Sequence, residues 1–137
     1  MTQSENNAIR ILLVDDSDTF REITLQFLNR YPELEVVGAA ADADEALDLT
    51  RDLSPHVVLL DLDMPGKTGF EVLPLLKETD STCKVVILSL MEGSSYTRIA
   101  KENGADGFVT KHQLITKLIP MIYKVMNDKE NRLEKNF

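Results

Sequence analysis

The segment that most constrains this chain is Val57 to Asp61. Four apolar residues in a row, Val57-Val58-Leu59-Leu60, stop at Asp61 and give way to an acidic loop that reaches Gly69 through Asp63 and Pro65-Gly66. An unbroken run of β-branched and leucine residues suits a strand buried on both faces, as in a parallel sheet covered by helices. Pro65-Gly66 reads as a tight turn. The carboxyl ends of the strands form the functional edge of an open α/β sheet, so Asp61 is a carboxylate that a rigid strand delivers to a loop-lined crevice.

The same architecture recurs along the chain. Ile9 to Val14 predicts a strand followed by Asp15-Asp16, Leu34 to Ala40 a short strand, Lys84 to Leu90 a buried strand ending near Ser89, and Phe108 to Thr110 a brief one ending at Lys111. Helical spacing fills the intervals. Ser17 or Asp18 is expected to cap a helix with Phe20, Ile23, Phe27 and Leu28 on one face, ending before Tyr31-Pro32. Asp42 or Asp44 starts a second through Ala46, Leu47, Leu49 and Leu53, closed by Ser54-Pro55. A third covers Phe70 to Glu78 with Pro74 inside it, and a fourth runs from Ser94 or Ser95 to about Glu102, with Asn103-Gly104 as its stop. The last spans about Leu114 to Met126, its apolar face formed by Leu114, Ile115, Leu118, Ile119, Ile122 and Met126.

Five strands alternating with five helices imply parallel pairing through right-handed crossovers, hence an α/β three-layer sandwich around a five-stranded parallel sheet. One domain is expected over residues 9–126, between a flexible N-terminus (1–8) and a polar C-terminal tail (127–137). Fifteen Lys and Arg against 23 Asp and Glu give a net charge of −8, a field that repels nucleic acid and anionic membranes. Independent nucleic-acid binding is therefore not expected. The apolar runs fall far short of the ~20 residues of a membrane helix, and the first ten residues lack the apolar region of a secretory signal. These features predict a cytoplasmic protein without membrane association. Cys83 is the single cysteine; it cannot form an internal disulfide and reads as a small residue before a strand.

Four separate segments thus bring Asp15-Asp16, Asp61, Ser89 and Lys111 to one edge. A lone aspartate after a strand is accounted for by loop capping. Several carboxylates gathered within a few ångströms repel one another, and a divalent cation with oxygen ligands is the usual compensation. Mg²⁺ is favoured because it is held by few protein carboxylates, keeps its waters and leaves positions for phosphate oxygens. Lys111 supplies a compact positive charge and Ser89 a hydroxyl, both suited to phosphoryl oxygens, and Asp61 is the natural covalent nucleophile. Gly66-Lys67-Thr68 mimics the end of a P-loop, but that motif needs glycine where Asp61 stands. His56 and His112 lack metal-ligand spacing and read as structural or exposed. Phe108 reads as a core residue, and Asp18 as an acid facing the helix dipole.

These segments, ILLVDDS (11–17), VVLLDLDMPGKTG (57–69), VVILSL (85–90) and GADGFVTK (104–111), resemble in order and spacing the receiver domains of two-component response regulators, over about residues 9–126. The resemblance implies a flavodoxin-like fold with Asp61 as phosphoacceptor, Asp16 as a direct Mg²⁺ ligand, Asp15 acting mainly through a metal-bound water and Asp63 ligating through its backbone carbonyl. It further implies that Ser89 is the hydroxyl that moves toward the phosphoryl group, Lys111 its ion-pair partner and Phe108 the aromatic that swings inward. A phosphohistidine on a sensor histidine kinase or histidine phosphotransfer protein would be the donor. Output would pass to a downstream protein target, with the surface of the last two helices available for a homodimer. The chain would be no enzyme beyond catalysing its own phosphorylation and dephosphorylation, with Asp63 and Met91 flanking the pocket and tuning water access.

Two departures from the family's commonest pattern stand out: His112 follows Lys111 where many members have proline, so no cis peptide is expected there, and Leu90 replaces a small residue and is expected to narrow access. Two alternatives accompany this reading. One is a receiver-like interaction module that never takes phosphate. The other is a phosphatase of the haloacid-dehalogenase type, suggested by Asp61-Leu62-Asp63 but opposed by Pro65 and by the lack of room for a cap domain.

Overall fold

Parallel strands buried on both faces need helices on both sides, and the chain supplies them in strict alternation. The computed structural model describes residues 7–127. All but residues 7, 8 and 127 of the expected N-terminal and C-terminal tails lie outside the described residues. The elements are β1 (Ile9–Val14), α1 (Asp18–Leu28), β2 (Leu34–Ala40), α2 (Ala43–Leu53), β3 (Val57–Asp61), α3 (Gly69–Thr79), β4 (Lys84–Ser89), α4 (Ser94–Glu102), β5 (Gly107–Thr110) and α5 (Leu114–Met126). A single 3-10 turn, Lys111–Gln113, joins β5 to α5. The five strands form one parallel sheet in the order β2-β1-β3-β4-β5.

Alternation of side chains across the strands divides the core in two. Ile11, Leu13, Val57, Leu59, Val86 and Leu88 pack with Phe27, Leu28, Leu118 and Ile122 on the α1 and α5 side. Leu12, Val14, Val58, Leu60, Val85 and Ile87 pack with Ala46, Val72, Leu76 and Ala100 on the α2, α3 and α4 side. Each strand thus feeds both layers, which is why its sequence carries no polar alternation. The strand order reverses direction between β1 and β3, the topological switch point where such sheets open a crevice at their carboxyl edge.

Helix starts explain how the loops at that edge are fixed. Ser17 caps α1, its Oγ accepting the N–H of Phe20, and Asp42 caps α2 by accepting that of Glu45. Thr68 and Glu71 form a reciprocal capping box at α3, satisfying two otherwise orphaned donors. In contrast to the expected serine cap, α4 begins at Ser94 after Gly93, which lies at φ 122° and makes no side-chain cap. The positive φ needs glycine, and it turns the chain so that Ser94 falls inside the helix. Two helix positions also differ from expectation. Ile23 and Ile115 are 52% and 72% exposed. The buried arcs of α1 and α5 run instead through Thr24, Phe27 and Leu28, and through Leu114, Leu118, Ile122 and Val125. β4 stops at Ser89, and Leu90 stands 56% exposed beyond it.

The amino edge of the sheet is closed by polar contacts. Lys77 donates to the Asp106 carboxylate at 2.7 Å and to the Cys83 carbonyl at 2.9 Å, while the Val85 N–H donates to the same Asp106 oxygen at 2.9 Å. His56 is structural, as expected: its Nδ1 accepts the Arg10 N–H at 2.9 Å. His112 is exposed. Among the described residues no peptide bond is cis, Lys111-His112 included.

Candidate functional site

β1 and β3 run side by side with Val14 opposite Leu60, so the residues that follow, Asp15 and Asp61, emerge together at the switch point. Both are buried, while Asp16 points to solvent. One carboxylate oxygen from each of Asp15, Asp16 and Asp61 lies within 4.8 Å of the other two. Lys111, delivered from the end of β5, places its Nζ 3.1 Å from Asp15 Oδ2 and 3.1 Å from Asp61 Oδ1. The expected convergence of Asp15, Asp16, Asp61 and Lys111 is therefore observed.

Backbone donors hold the carboxylates in place. The Ser17 N–H donates to Asp15 Oδ1 at 2.8 Å, and the Asp63 N–H to Asp61 Oδ1 at 3.2 Å. Arg21 donates to the Asp15 carbonyl and pairs with Asp18, so Asp18 serves α1 through a side-chain partner in its first turn as well as through the dipole. Burial, and next the Asp15 charge, push the Asp61 carboxyl above its ordinary pKa, while the Asp63 N–H and Lys111 pull it back. For Lys111 burial works against the charge, but the hydrogen bond and charge of Asp15 together with those of Asp61 outweigh it and raise the ammonium's pKa. Three carboxylates facing one ammonium leave net negative charge in a partly desolvated pocket. Its donors are oxygens only, the set suited to a hard divalent cation such as Mg²⁺ and ill suited to softer metals.

Of the remaining predicted residues, Ser89 and Asp63 lie beside the pocket and Phe108 does not. Ser89 is buried, its Oγ accepting the Met91 N–H at 2.9 Å and lying 3.5 Å from Asp63 Oδ2. Asp63 itself is exposed. Phe108 is outside the pocket: half-buried on β5, it packs on the α2, α3 and α4 side and borders a groove of about 400 Å³ shared with Thr97, Gln113 and Met121.

Sequence reasoning passed over three contributors. Phe20, read as a core residue, puts its ring 4.2 Å from Lys111 Nζ. Gly69 lies where a Cβ would come within 2.8 Å of the Asp61 carbonyl oxygen, so the α3 start seats directly on the end of β3. Thr68, through its capping box, fixes the far end of the same loop. The Thr-x-x-Glu spacing at 68–71 carried that last signal; the Phe20–Lys111 contact joins residues distant in sequence, and the close backbone approach at Gly69 has no side-chain pattern to mark it, so neither left one.

Residues 11–123 match the family model described as the response regulator receiver domain. The chain belongs to the response regulator receiver domains. It is 33% identical over 108 residues to the nitrate/nitrite response regulator protein NarL of Escherichia coli, covering 79% of this chain and 50% of that protein. To protein-glutamate methylesterase/protein-glutamine glutaminase 1 of Methanospirillum hungatei it is 39% identical over 105 residues, covering 75% of this chain and 31% of the other. The chain thus spans about a third to a half of these curated relatives. Among solved structures it resembles the response regulator domain of Thermotoga maritima CheB, with a TM-score of 0.81, 33% identity and coverage of 88% of this chain and 97% of that one. A LuxR-family response regulator from Aurantimonas gives a TM-score of 0.83 at 35% identity, covering 88% and 86%.

Receiver domains are phosphorylation-dependent switches, and the acidic cluster at Asp15, Asp16 and Asp61 fits the phosphorylation site of this receiver. The fold is the expected flavodoxin-like one. Asp61 lies on the third strand of the chain, and the family assignment removes the dehalogenase-type alternative. No helix among the described residues is long and apolar enough to cross a membrane.

Proposed function

We propose that this receiver takes a phosphoryl group on Asp61 from a phosphohistidine of a sensor histidine kinase or histidine phosphotransfer protein. The observation that carries the reading is the place of Asp61: buried at the end of the central strand, with Lys111 Nζ at 3.1 Å and two further aspartates beside it. Lys111 and the Asp63 N–H both engage Oδ1, which leaves Oδ2 to attack phosphorus in line. The P–N bond breaks, the imidazole leaves with its electron pair, and an aspartyl phosphate forms. Asp15, Asp16, Asp61 and the Asp63 carbonyl are the groups that would hold Mg²⁺, which when bound neutralises charge on the acidic pocket and the phosphoryl oxygens.

Lys111 then pairs with a phosphoryl oxygen, and Ser89 leaves the Met91 N–H to reach another. That movement frees space for Phe108, which repacks the surface of α4, β5 and α5. The change is a population shift whose extent equals the difference in phosphoryl contacts between the two conformations. Output passes through a protein partner, or a second copy, at that surface. Asp63 and Met91, both beside Ser89, govern water access and so the lifetime of the phosphate. The chain's chemistry is confined to its own phosphorylation and dephosphorylation.

Intact mass after incubation with an acyl phosphate and Mg²⁺ tests this. The expected result is a Mg²⁺-dependent gain of one phosphoryl group that Asp61→Ala abolishes. An unchanged mass in the wild type with Mg²⁺ bound would instead support a phosphate-independent interaction module.

A further inference from the structure

We propose that Phe20 is a positioning residue for phosphoryl transfer, its ring holding the Lys111 ammonium at the pocket while the carboxylates are engaged elsewhere. This rests on the reading of Asp61 as acceptor. The ammonium is gripped from opposite chemistries: carboxylate oxygens of Asp15 and Asp61 at 3.1 Å each, and the Phe20 ring centroid at 4.2 Å. Phe20 is itself tied to the site. Its N–H caps onto Ser17 Oγ at 3.1 Å, and the next residue, Arg21, donates to the Asp15 carbonyl. Its side chain borders the space beneath the pocket together with Asp15, Leu59 and Leu88. Ring, acidic loop and ammonium therefore form one connected unit.

The two kinds of contact respond differently to loading. Carboxylates attract the ammonium only as far as their charge is unspent, and a divalent cation among Asp15, Asp16 and Asp61 both spends that charge and repels Lys111. A flexible four-carbon stem gives the ammonium freedom to swing outward. The negative face of an aromatic ring is not titrated or neutralised by a metal, so the Phe20 contact persists through loading and keeps Nζ where the phosphoryl oxygen arrives. Leucine in its place would fill the space without offering that face; tyrosine would offer it.

The test uses the full chain as wild type, Phe20→Leu and Phe20→Tyr. In the NMR spectrum the Lys111 Cε protons should be moved upfield by the ring in wild type and Phe20→Tyr, with and without Mg²⁺, and not in Phe20→Leu. At saturating Mg²⁺, Phe20→Leu should take phosphate from an acyl phosphate roughly 2- to 30-fold more slowly, the span from an exposed to a desolvated cation–π contact, with Phe20→Tyr within about 2-fold of wild type. Mg²⁺ affinity measured by calorimetry should be no weaker in Phe20→Leu, because the carboxylates are intact and their competitor is looser. Equal rates in Phe20→Leu and wild type would overturn the proposal, as would a loss that tyrosine does not rescue or one matched by weakened Mg²⁺ binding, the mark of a packing defect. A wild type that is not labelled overturns the acceptor reading itself, whereas a labelled wild type beside an indifferent Phe20→Leu overturns only this inference.

Discussion

Replacing Lys111 by methionine exchanges an ammonium for an apolar group of similar length, and the pocket sets the size of the effect. With Nζ 3.1 Å from Asp15 Oδ2 and from Asp61 Oδ1, each contact represents about 5 kcal/mol of Coulomb attraction at an effective dielectric of about 20. Desolvation of a lysine side chain only 10% exposed offsets much of that gain. What the substitution leaves behind matters more. Three carboxylate oxygens remain within 4.8 Å of one another, each pair repelling by at least about 3 kcal/mol on the same scale. Removing one partner of a buried ion pair costs about 3–5 kcal/mol, and a lysine that bridges two carboxylates belongs in the upper part of that range. Lys111→Met should therefore lose about 4–5 kcal/mol in EDTA, measured by urea unfolding followed by circular dichroism. Excess Mg²⁺ should recover most of the deficit and stabilise the variant more than the wild type, since the cation answers the same repulsion. The double variant Lys111→Met/Asp61→Asn should be more stable in EDTA than Lys111→Met alone. A loss under about 1 kcal/mol in EDTA, or a deficit indifferent to Mg²⁺, would refute the view that Lys111 neutralises this pocket in the metal-free protein.

Three further outcomes follow from other parts of the structure. Gly69→Ala puts a Cβ 2.8 Å from the Asp61 carbonyl oxygen and the Leu62 Cα, so it should cost about 1–3 kcal/mol in urea unfolding and slow phosphorylation by shifting the end of β3. Thr68→Ala removes one half of the capping box and should cost about 1 kcal/mol, which Thr68→Ser largely restores. Burial raises the Cys83 thiol from 9.0 to about 11. The unfolded chain ionises first, so this thiol's contribution to stability is intact below pH 9 and is lost as pH rises toward 11; Cys83→Ala should flatten that part of the stability–pH curve.

The layers were legible because strands buried on both faces leave unbroken apolar runs, and those runs ended at the residues that form the pocket. Helix faces were less legible. Periodicity marks an apolar arc wider than the line of contact, which placed Ile23 and Ile115 inside although only their neighbours Thr24, Leu114 and Leu118 meet the sheet. Caps made by side chains were readable at Ser17 and Asp42, whereas the α4 start depends on a glycine torsion that the serines beside it concealed. In the site, charge and strand-end position disclosed Asp15, Asp61 and Lys111. Phe20 could not be assigned this way, since an apolar residue on a helix gives no sign that its ring meets a lysine from the opposite end of the chain. The Lys77–Asp106 pair, 29 residues apart, was hidden for the same reason.

Of the five strands, β3 has a partner on each side, while β5, four residues long, is bordered by β4 alone. The acceptor is thus mounted on the stiff middle of the sheet, and Ser89 and Phe108 lie successively nearer its compliant rim. A given push displaces a clamped plank least at the clamp and most at its free border, so on the proposed reading a reaction at Asp61 would produce its movement far from where the bond forms and would leave the acceptor in register for the next donor. Amide exchange should show this gradient before any phosphate arrives, slowest along Val57 to Leu60 and fastest along Phe108 to Thr110.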